Sequence, residues 1–148
     1  MSPRDAATRK ADTLAMLTTA AVDVWVATAS PEGEAHLVPV SLAWVDERVV
    51  MAIPENSVTA RNLAASGRAR LAVGPTRDVV MMDAVLERSV GVDEDLPLGE
   101  AYAAQSDWDP RGDSDYVFLV LRPERLQAWR EADEIAGRTL MRDGAWVV

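Results

Sequence analysis

A short polar segment in the first half of the chain has residue types and spacing suited to binding an anion. Asn56 or Ser57 can act as the N-cap of a helix, because its side-chain oxygen can accept a hydrogen bond from a backbone amide one turn on. The amides that stay free, with the positive end of the helix dipole, favour a phosphate or a carboxylate. Arg61 lies four residues after Ser57, so both side chains project from the same helix face.

The acidic charge of the chain makes its arginines stronger candidates for anion binding. The formal net charge is -9, and the 15 basic residues include a single lysine. In so acidic a protein an arginine beside a helix start has few competitors as an anion ligand, which favours Arg61 and Arg77. The alternative is an ordinary capped helix with a solvated arginine. That alternative fits the polar residues of the segment equally well, namely Ser57, Thr59, Arg61 and Asn62.

A strand-like run with a proline in its middle precedes the polar segment. From His36 to Trp44, even and odd positions fall on opposite faces. Pro39 has no amide donor, so it implies a sheet edge, a bulge or an interrupted ladder. Such a place leaves the backbone groups of Val40 and Ser41 free to meet a ligand. A simple edge strand explains Pro39 equally well alone, but the anion-binding helix start beside it favours the ligand interpretation.

The chain has one histidine and no cysteine, which excludes several chemistries. His36 shares its strand face with Val38 and Val40, a pattern typical of a partly buried structural histidine. A zinc site would need carboxylates for its remaining ligands, so no metal site is predicted. No nucleophile elbow surrounds a serine, which argues against a Ser-His-Asp hydrolase. Disulfides and iron–sulfur clusters are excluded, and no glycine-rich Rossmann or Walker loop is present.

Length and composition predict one domain over residues 1–148. Hydrophobic residues make up 49% and charged residues 26%, which is ordinary for a globular protein. The acidic charge argues against a nucleic-acid partner. No apolar run reaches the roughly 20 residues that span a bilayer, and the polar start is unlike a signal peptide. We therefore expect a cytoplasmic protein without a membrane partner.

The pattern of elements predicts many short strands and a few helices. Helices are expected from Asp5 to Thr19, from Ser57 to Ser66 with Gly67 as C-cap, and from Pro97. Asp143-Gly144 fits a type I′ hairpin between the last two strands. Pro123 is expected to bend the strand that begins at Tyr116, or to start a new one. Because no βαβ alternation occurs, an α+β barrel or sandwich is favoured, and its strands are mainly antiparallel.

These segments, in this order, resemble a known family. The resemblance rests on Gly33-Glu-Ala-His-Leu-Val-Pro-Val, on a strand ending near Ile53, on Ser57-x-Thr-x-Arg-Asn-Leu63 and on Arg68-Ala-Arg-Leu. Together they look like the pyridoxamine 5′-phosphate oxidase-like superfamily, and more closely like its flavin/deazaflavin oxidoreductase branch. The resemblance covers nearly the whole chain and is strongest from Val24 to Asp83. Its specificity lies in the order and spacing of short motifs.

The resemblance implies a split β-barrel of the FMN-binding kind with a few peripheral helices. It also implies a homodimer with two cofactor sites at the subunit interface, each holding FMN or the deazaflavin coenzyme F-420. Carried over by position, Ser57, Thr59, Arg61 and Asn62 would face the cofactor phosphate, with Arg77 as a further candidate. The ring would be lined by Val38, Pro39, Val40 and Ser41. Trp129 or Trp146 of the partner subunit would close the ring pocket, although tryptophans of this kind more often belong to a core or an interface.

The implied function is an oxidoreductase in which the cofactor transfers hydride to or from a small-molecule substrate. The C-terminal arginine and histidine arrangement of a true pyridoxamine 5′-phosphate oxidase is missing, so oxidation of vitamin B6 is not expected. The acidic charge argues against the acidic tail of the deazaflavin, whereas the arginine-rich composition is typical of the high-GC bacteria that make it. The alternative is a non-catalytic dimer that stores, shields or has lost the cofactor.

Overall fold

Antiparallel strands make up most of the molecule, and α-helices lie around them. The structure is a computed structural model, and it describes residues 2–148. The helices in this range are α1 (Ala6–Leu17), α2 (Val58–Ser66) and α3 (Leu96–Ser106), and a 3-10 helix spans Ala132–Glu134. The strands are β1 (Asp23–Ala29), β2 (Ala35–Ser41), β3 (Ala43–Val45), β4 (Arg48–Pro54), β5 (Arg68–Val73), β6 (Val79–Gly91), β7 (Tyr116–Trp129), β8 (Thr139–Arg142) and β9 (Ala145–Trp146).

These strands form one sheet whose ends approach each other without closing. The order is β2-β1-β5-β6-β7-β4-β3, with β8 added to β7 and β9 added to β8. Every pairing is antiparallel. β2 lies at one end of the path and contacts β4 across the opening. The α+β class is confirmed, and the open sheet agrees with the predicted split β-barrel.

Two apolar clusters hold the sheet and its helices together. The larger one fills the inside of the barrel and includes Leu17, Met51 and Leu71. The smaller one lies beneath α3, where Tyr102 packs on Phe118 at 5.1 Å between ring centroids. β4 is buried on both faces, because its odd residues face the barrel and its even residues face α3. Its unbroken apolar sequence therefore reflects burial on both sides.

Local capping and turn signals in the sequence set most element ends. Asp5 caps α1, and its carboxylate accepts a hydrogen bond from the Thr8 amide at 2.7 Å. α2 ends at Gly67, whose φ of +71° suits glycine. Asp143 and Gly144 have φ values of +53° and +79° in the β8–β9 hairpin, which confirms the predicted type I′ turn. The predicted first helix was two residues too long at its C-terminus, since α1 ends at Leu17.

Two predicted strands differ from the observed ones. The run through Trp44 is not one strand, because β2 ends at Ser41 and β3 turns away to pair with β4. Between them the amide of Leu42 donates to the carbonyl of Val22. Of the two alternatives at Pro123, a new strand is wrong, because β7 continues past the proline with a register shift opposite Asp83 and Ala84. A bulge of this kind accommodates a residue without an amide donor.

A buried arginine and an ion pair anchor α1 to the segment after β7. Arg9 is 4% exposed, and its Nη1 donates to the carbonyls of Ala128, Glu134 and Gly137 at 3.0–3.3 Å. The guanidinium of Arg4 donates two hydrogen bonds to the Glu134 carboxylate, at 2.7 and 3.0 Å. These contacts fix the segment that follows Trp129.

No helix within residues 2–148 has the length and apolar composition needed to cross a membrane.

Candidate functional site

Helix α2 is held at one end of the barrel by both apolar and polar contacts. Ala60 and Leu63 join the main core. Asn62 is 5% exposed, and its Nδ2 donates to the hydroxyl of Thr28 on β1 at 3.1 Å. Ser57 is the N-cap, with its hydroxyl accepting from the Ala60 amide at 3.2 Å. Of the two predicted caps the structure therefore selects Ser57, and α2 starts where the anion hypothesis requires it.

A cavity of about 500 Å³ opens between α2 and the β1–β2 turn, and we call it the helix cavity. Its lining residues are Ser30, Pro31, Glu34, Ala35, His36, Val58, Arg61, Asn62 and Ala65. Arg61 is exposed and has no ion pair or hydrogen bond to any side chain in residues 2–148. The guanidinium is therefore available to a ligand in this cavity.

The first turn of α2 leaves two backbone donors free, beginning at Val58, which lines the helix cavity. The amide of Ser57 donates to the Pro54 carbonyl, and the amide of Arg61 donates to the Ser57 carbonyl. The amide of Ala60 is satisfied by the N-cap hydroxyl. No hydrogen bond within the described chain uses the amides of Val58 and Thr59, as is usual for the first turn of a helix. Two amides and one arginine therefore make a donor set that fits a phosphate or carboxylate.

Other side chains in the helix cavity modify this charge balance. His36 is half-buried on the inward face of β2, as the alternation in the sequence predicts. Glu34 lies on the opposite wall, and its backbone amide donates to the Ser30 hydroxyl in the turn. Ser30 and Glu34 were not among the predicted site residues. The only sequence signal for them is the Pro31-Glu-Gly33 turn, which places them opposite α2.

An acidic cavity lies on the other side of the α2 start. It measures about 420 Å³ and is lined by Pro54, Glu55, Asn56, Asp113, Asp115 and Tyr116. Glu55, Asp113 and Asp115 form no ion pair with any basic residue in the part of the chain described here. Three uncompensated carboxylates repel a phosphate. The charge distribution therefore restricts an anion to the Arg61 side of the helix.

The structure brings together only some of the predicted phosphate residues. Ser57, Arg61 and Asn62 are within or beside the helix cavity, but Asn62 has one amide hydrogen committed to Thr28. Thr59 is 3% exposed and faces inward. Arg77 lies elsewhere, in the loop between β5 and β6, where it pairs with Glu131 at 3.0 Å. Arg77 is thus at the opposite end of β5 from the helix.

The predicted ring-lining segment occupies an edge strand, as the sequence allowed. β2 ends the sheet path, and within it Val38 and Val40 pack on the barrel core. Pro39 is exposed on the outer face, directly opposite Trp25. The carbonyl of Ser41 accepts a hydrogen bond of 3.4 Å from the hydroxyl of Tyr102. The outer face of β2 is therefore free for a ligand, while its inner face belongs to the core.

The two candidate tryptophans have intramolecular partners. Trp129 ends β7 opposite Val79, and the guanidinium of Arg138 lies 5.8 Å from its ring centroid. Trp146 donates from Nε1 to a Glu47 carboxylate oxygen at 3.1 Å. Neither lines the helix cavity of its own chain. A role for either at that cavity would require a second subunit, and it stays a prediction.

Comparison with known protein families identifies the family of the chain. The sequence pattern of the family described as pyridoxamine 5′-phosphate oxidase matches residues 11–130, which include β1, β2, α2 and all of β7. The chain belongs to the pyridoxamine 5′-phosphate oxidase family. The resemblance inferred from the sequence motifs is confirmed. None of the curated proteins compared with this family member matches it.

Solved structures similar to this pyridoxamine 5′-phosphate oxidase family member agree on the fold. An F-420 reductase is 20% identical with a TM-score of 0.61, and the match covers 74% of this chain and 92% of that one. A conserved hypothetical protein from Mycobacterium tuberculosis is 16% identical with a TM-score of 0.68, covering 84% and 86%. A heme binding protein from Mycobacterium smegmatis is 26% identical with a TM-score of 0.64, covering 92% and 57%.

Proposed function

We propose that this protein is an oxidoreductase that binds FMN or the deazaflavin coenzyme F-420, with the cofactor phosphate in the helix cavity. The observation that carries the proposal is the exposed, unpaired Arg61 beside the free amides of Val58 and Thr59. The family, and the similarity in fold to an F-420 reductase, support a flavin-type cofactor. The donor set fits the phosphate that both cofactors carry.

The residues of the chain have modest tasks in this proposal. The cofactor supplies the hydride chemistry, and the protein binds, orients and shields it. Arg61 and the α2 amides hold the phosphate, while the acidic cavity on the other side of α2 discourages alternative placements. The outer face of β2, at Pro39, offers a surface without a side-chain donor against which a flat ring can lie. Ring placement along Val38, Pro39, Val40 and Ser41 is part of the proposal.

We further propose a homodimer that uses the outer face of β1 and β2. Trp25 is 49% exposed and Leu37 is 60% exposed, and Trp25 lies directly opposite Pro39. Large apolar side chains clustered on one exposed sheet face are typical of an interface. Two copies joined at this face bring the β2 edges into proximity, which would let Trp129 or Trp146 of the partner subunit reach the ring.

A non-catalytic role on the same scaffold is the second candidate. The observation that favours it is the lining of the helix cavity, where Glu34, His36 and Arg61 are the titratable side chains. None of the three is held in a pair or triad suited to proton transfer. A protein that stores or shields the cofactor needs no such group. Turnover of a bound, reduced cofactor in the presence of small-molecule acceptors separates this role from catalysis.

Titration of the purified protein with FMN and with coenzyme F-420, followed by absorbance and fluorescence, tests cofactor binding. We expect one of the two to bind, and Arg61→Ala to weaken it about 10- to 100-fold, since a hydrogen bond to a charged group contributes about 1.5–3 kcal/mol. Arg142→Ala is the matched control, because Arg142 is an exposed arginine on β8, outside the cavity. Failure to bind either cofactor, or equal loss in both variants, contradicts the proposal. A parallel titration with hemin tests the haem ligand named for one structural relative.

A further inference from the structure

We infer that the ligand of the helix cavity carries a second anionic group, and that Arg68 receives it in an adjoining groove. This inference rests on the proposed function, since it extends the ligand beyond the phosphate at Arg61. The second group is a phosphate or a carboxylate on an extension of the cofactor. Arg68 is then a specificity residue that favours a longer cofactor over FMN.

The groove is a separate depression on the outside of the barrel that meets the helix cavity. It measures about 460 Å³ and is lined by Ala27, Thr28, Ala29, Ser30, Ser66, Arg68, Ala69, Arg70, Asp83 and Ala84. Ser30 belongs to both cavities. At the C-terminal end of α2, Ala65 lines the helix cavity and Ser66 lines the groove. A ligand anchored at Arg61 therefore reaches the groove by passing Ser30 and the last turn of α2.

The floor of the groove lets an extended chain lie close to the sheet. Ala27 and Ala29 lie on the outward face of β1, and Ala27 is directly opposite Arg70 of β5. Alanine side chains leave room along the strand that bulkier residues would fill. The hydroxyls of Ser30 and Ser66 also line the groove and add polar groups beside this alanine floor.

The two arginines of the groove differ in how firmly they are held. Arg70 donates two hydrogen bonds to Asp83, at 2.7 and 3.3 Å, which neutralises the one carboxylate in the lining. Arg68 has a side chain that is 74% exposed, and its ion pair with Glu124 measures 3.5 Å without a hydrogen bond. The Arg68 guanidinium can therefore exchange Glu124 for a ligand anion at little cost. Arg70 forms the fixed rim, and Arg68 is the available donor.

These cations stand out because the chain is acidic. With a net charge of -9, most of the surface repels an anion, yet Arg61 and Arg68 flank the two adjoining cavities. FMN has a single phosphate and would leave Arg68 with Glu124 as its ion-pair partner. FAD offers a second phosphate, and coenzyme F-420 offers the carboxylates of its acidic tail. Both satisfy the two cations, and they differ in the source of the second anion.

Binding titrations with riboflavin, FMN, FAD and coenzyme F-420 on the full chain test the inference. We expect Arg68→Ala to weaken FAD or F-420 about 3- to 10-fold, the size of a partly exposed charge interaction, with FMN affinity unchanged. Arg68→Lys should recover part of the loss. Arg142→Ala should change nothing. A loss confined to FAD identifies a phosphate as the second anion, and a loss confined to F-420 identifies a carboxylate.

Several outcomes overturn the inference. One is an Arg68→Ala variant with wild-type affinity for FAD and F-420 while Arg61→Ala weakens FMN, which would leave the proposed function standing. Another is an equal loss for FMN and the longer ligands, which would mean a general effect on α2. Absence of binding by all four ligands would remove both the proposed function and the second anion site. Circular dichroism of each variant checks that it is folded.

Discussion

The side-chain amide of Asn62 donates a hydrogen bond to the hydroxyl of Thr28 at 3.1 Å, with both residues buried. This contact joins α2 to β1 across 34 positions of sequence. It lies behind the helix cavity, one residue from Arg61. The contact therefore links the stability of the barrel to the position of the proposed phosphate donor.

Thr28→Val removes the acceptor and keeps the shape of the side chain. We expect it to lower the free energy of unfolding by about 1–3 kcal/mol, because the Asn62 amide is then buried without a partner. Thr28→Ser keeps the hydroxyl and serves as the control. Urea denaturation measures both, and cofactor titration shows whether the shift of α2 reaches Arg61. Equal stability of the wild type and the valine variant would mean that water satisfies Asn62.

Ser57→Ala tests the cap of α2. Loss of the bond to the Ala60 amide should cost about 1 kcal/mol of stability, the usual value for an N-cap. Ser57→Asp keeps a capping oxygen but adds a negative charge at the helix start. We expect the aspartate variant to be as stable as wild type yet to bind FMN or F-420 more weakly than the alanine variant. If the aspartate variant bound more tightly, the phosphate would lie elsewhere.

Arg9→Met tests the anchor of α1. It leaves the carbonyls of Ala128, Glu134 and Gly137 without their shared donor. Because a buried unsatisfied polar group costs about 1–3 kcal/mol, we expect a loss of stability of at least that size. Arg142→Met, at an exposed position, controls for the change of charge. Thermal unfolding of the two variants should differ clearly, and similar melting temperatures would contradict a structural role for Arg9.

The ion pair between Arg4 and Glu134 makes stability depend on pH. Hydrogen bonds from the Arg4 guanidinium are the largest cause that lowers the pKa of Glu134, to about 2 from an ordinary value of 4.5. A lowered pKa in the folded state stabilises the protein above pH 4.5, and this contribution is lost as pH falls through 2. Compared with Glu134→Gln, wild type should be about 1–3 kcal/mol more stable near neutrality. The difference should vanish near pH 2, and a constant difference over that range would rule out the linkage.

The proposed homodimer is tested at the outer face of β1 and β2. Leu37→Asp places a charge in the exposed apolar cluster, so we expect the molar mass in light scattering to fall from that of a dimer to that of a monomer. Val147→Asp is the control, since Val147 is a similarly exposed apolar residue near the C-terminus. A wild-type protein that is already monomeric at micromolar concentration would remove this part of the proposal.

Local signals in the sequence predicted much of this fold. The Ser57 cap, the Gly67 helix end and the Asp143-Gly144 turn depend on neighbouring residues alone, and all three appear in the structure. The edge position of Pro39 follows from its missing amide. The helix end after Leu17 and the break at Leu42 were missed, because both depend on packing. At Leu42 the amide bonds to Val22, a residue 20 positions away that local sequence cannot reveal.

The sequence by itself therefore determined the family, placed the start of α2 at Asn56 or Ser57, and predicted Arg61 and Arg77 as anion donors. Only the tertiary structure decided which residues join Arg61. It placed Ser30, Glu34 and His36 across the cavity from the helix, and it placed Arg77 at the far end of β5 beside Glu131. Caps and turns are set by interactions within about four residues, whereas a cavity is made by strands whose pairing brings distant residues together. Strand pairing in the sheet therefore decides which residues line the site together with α2.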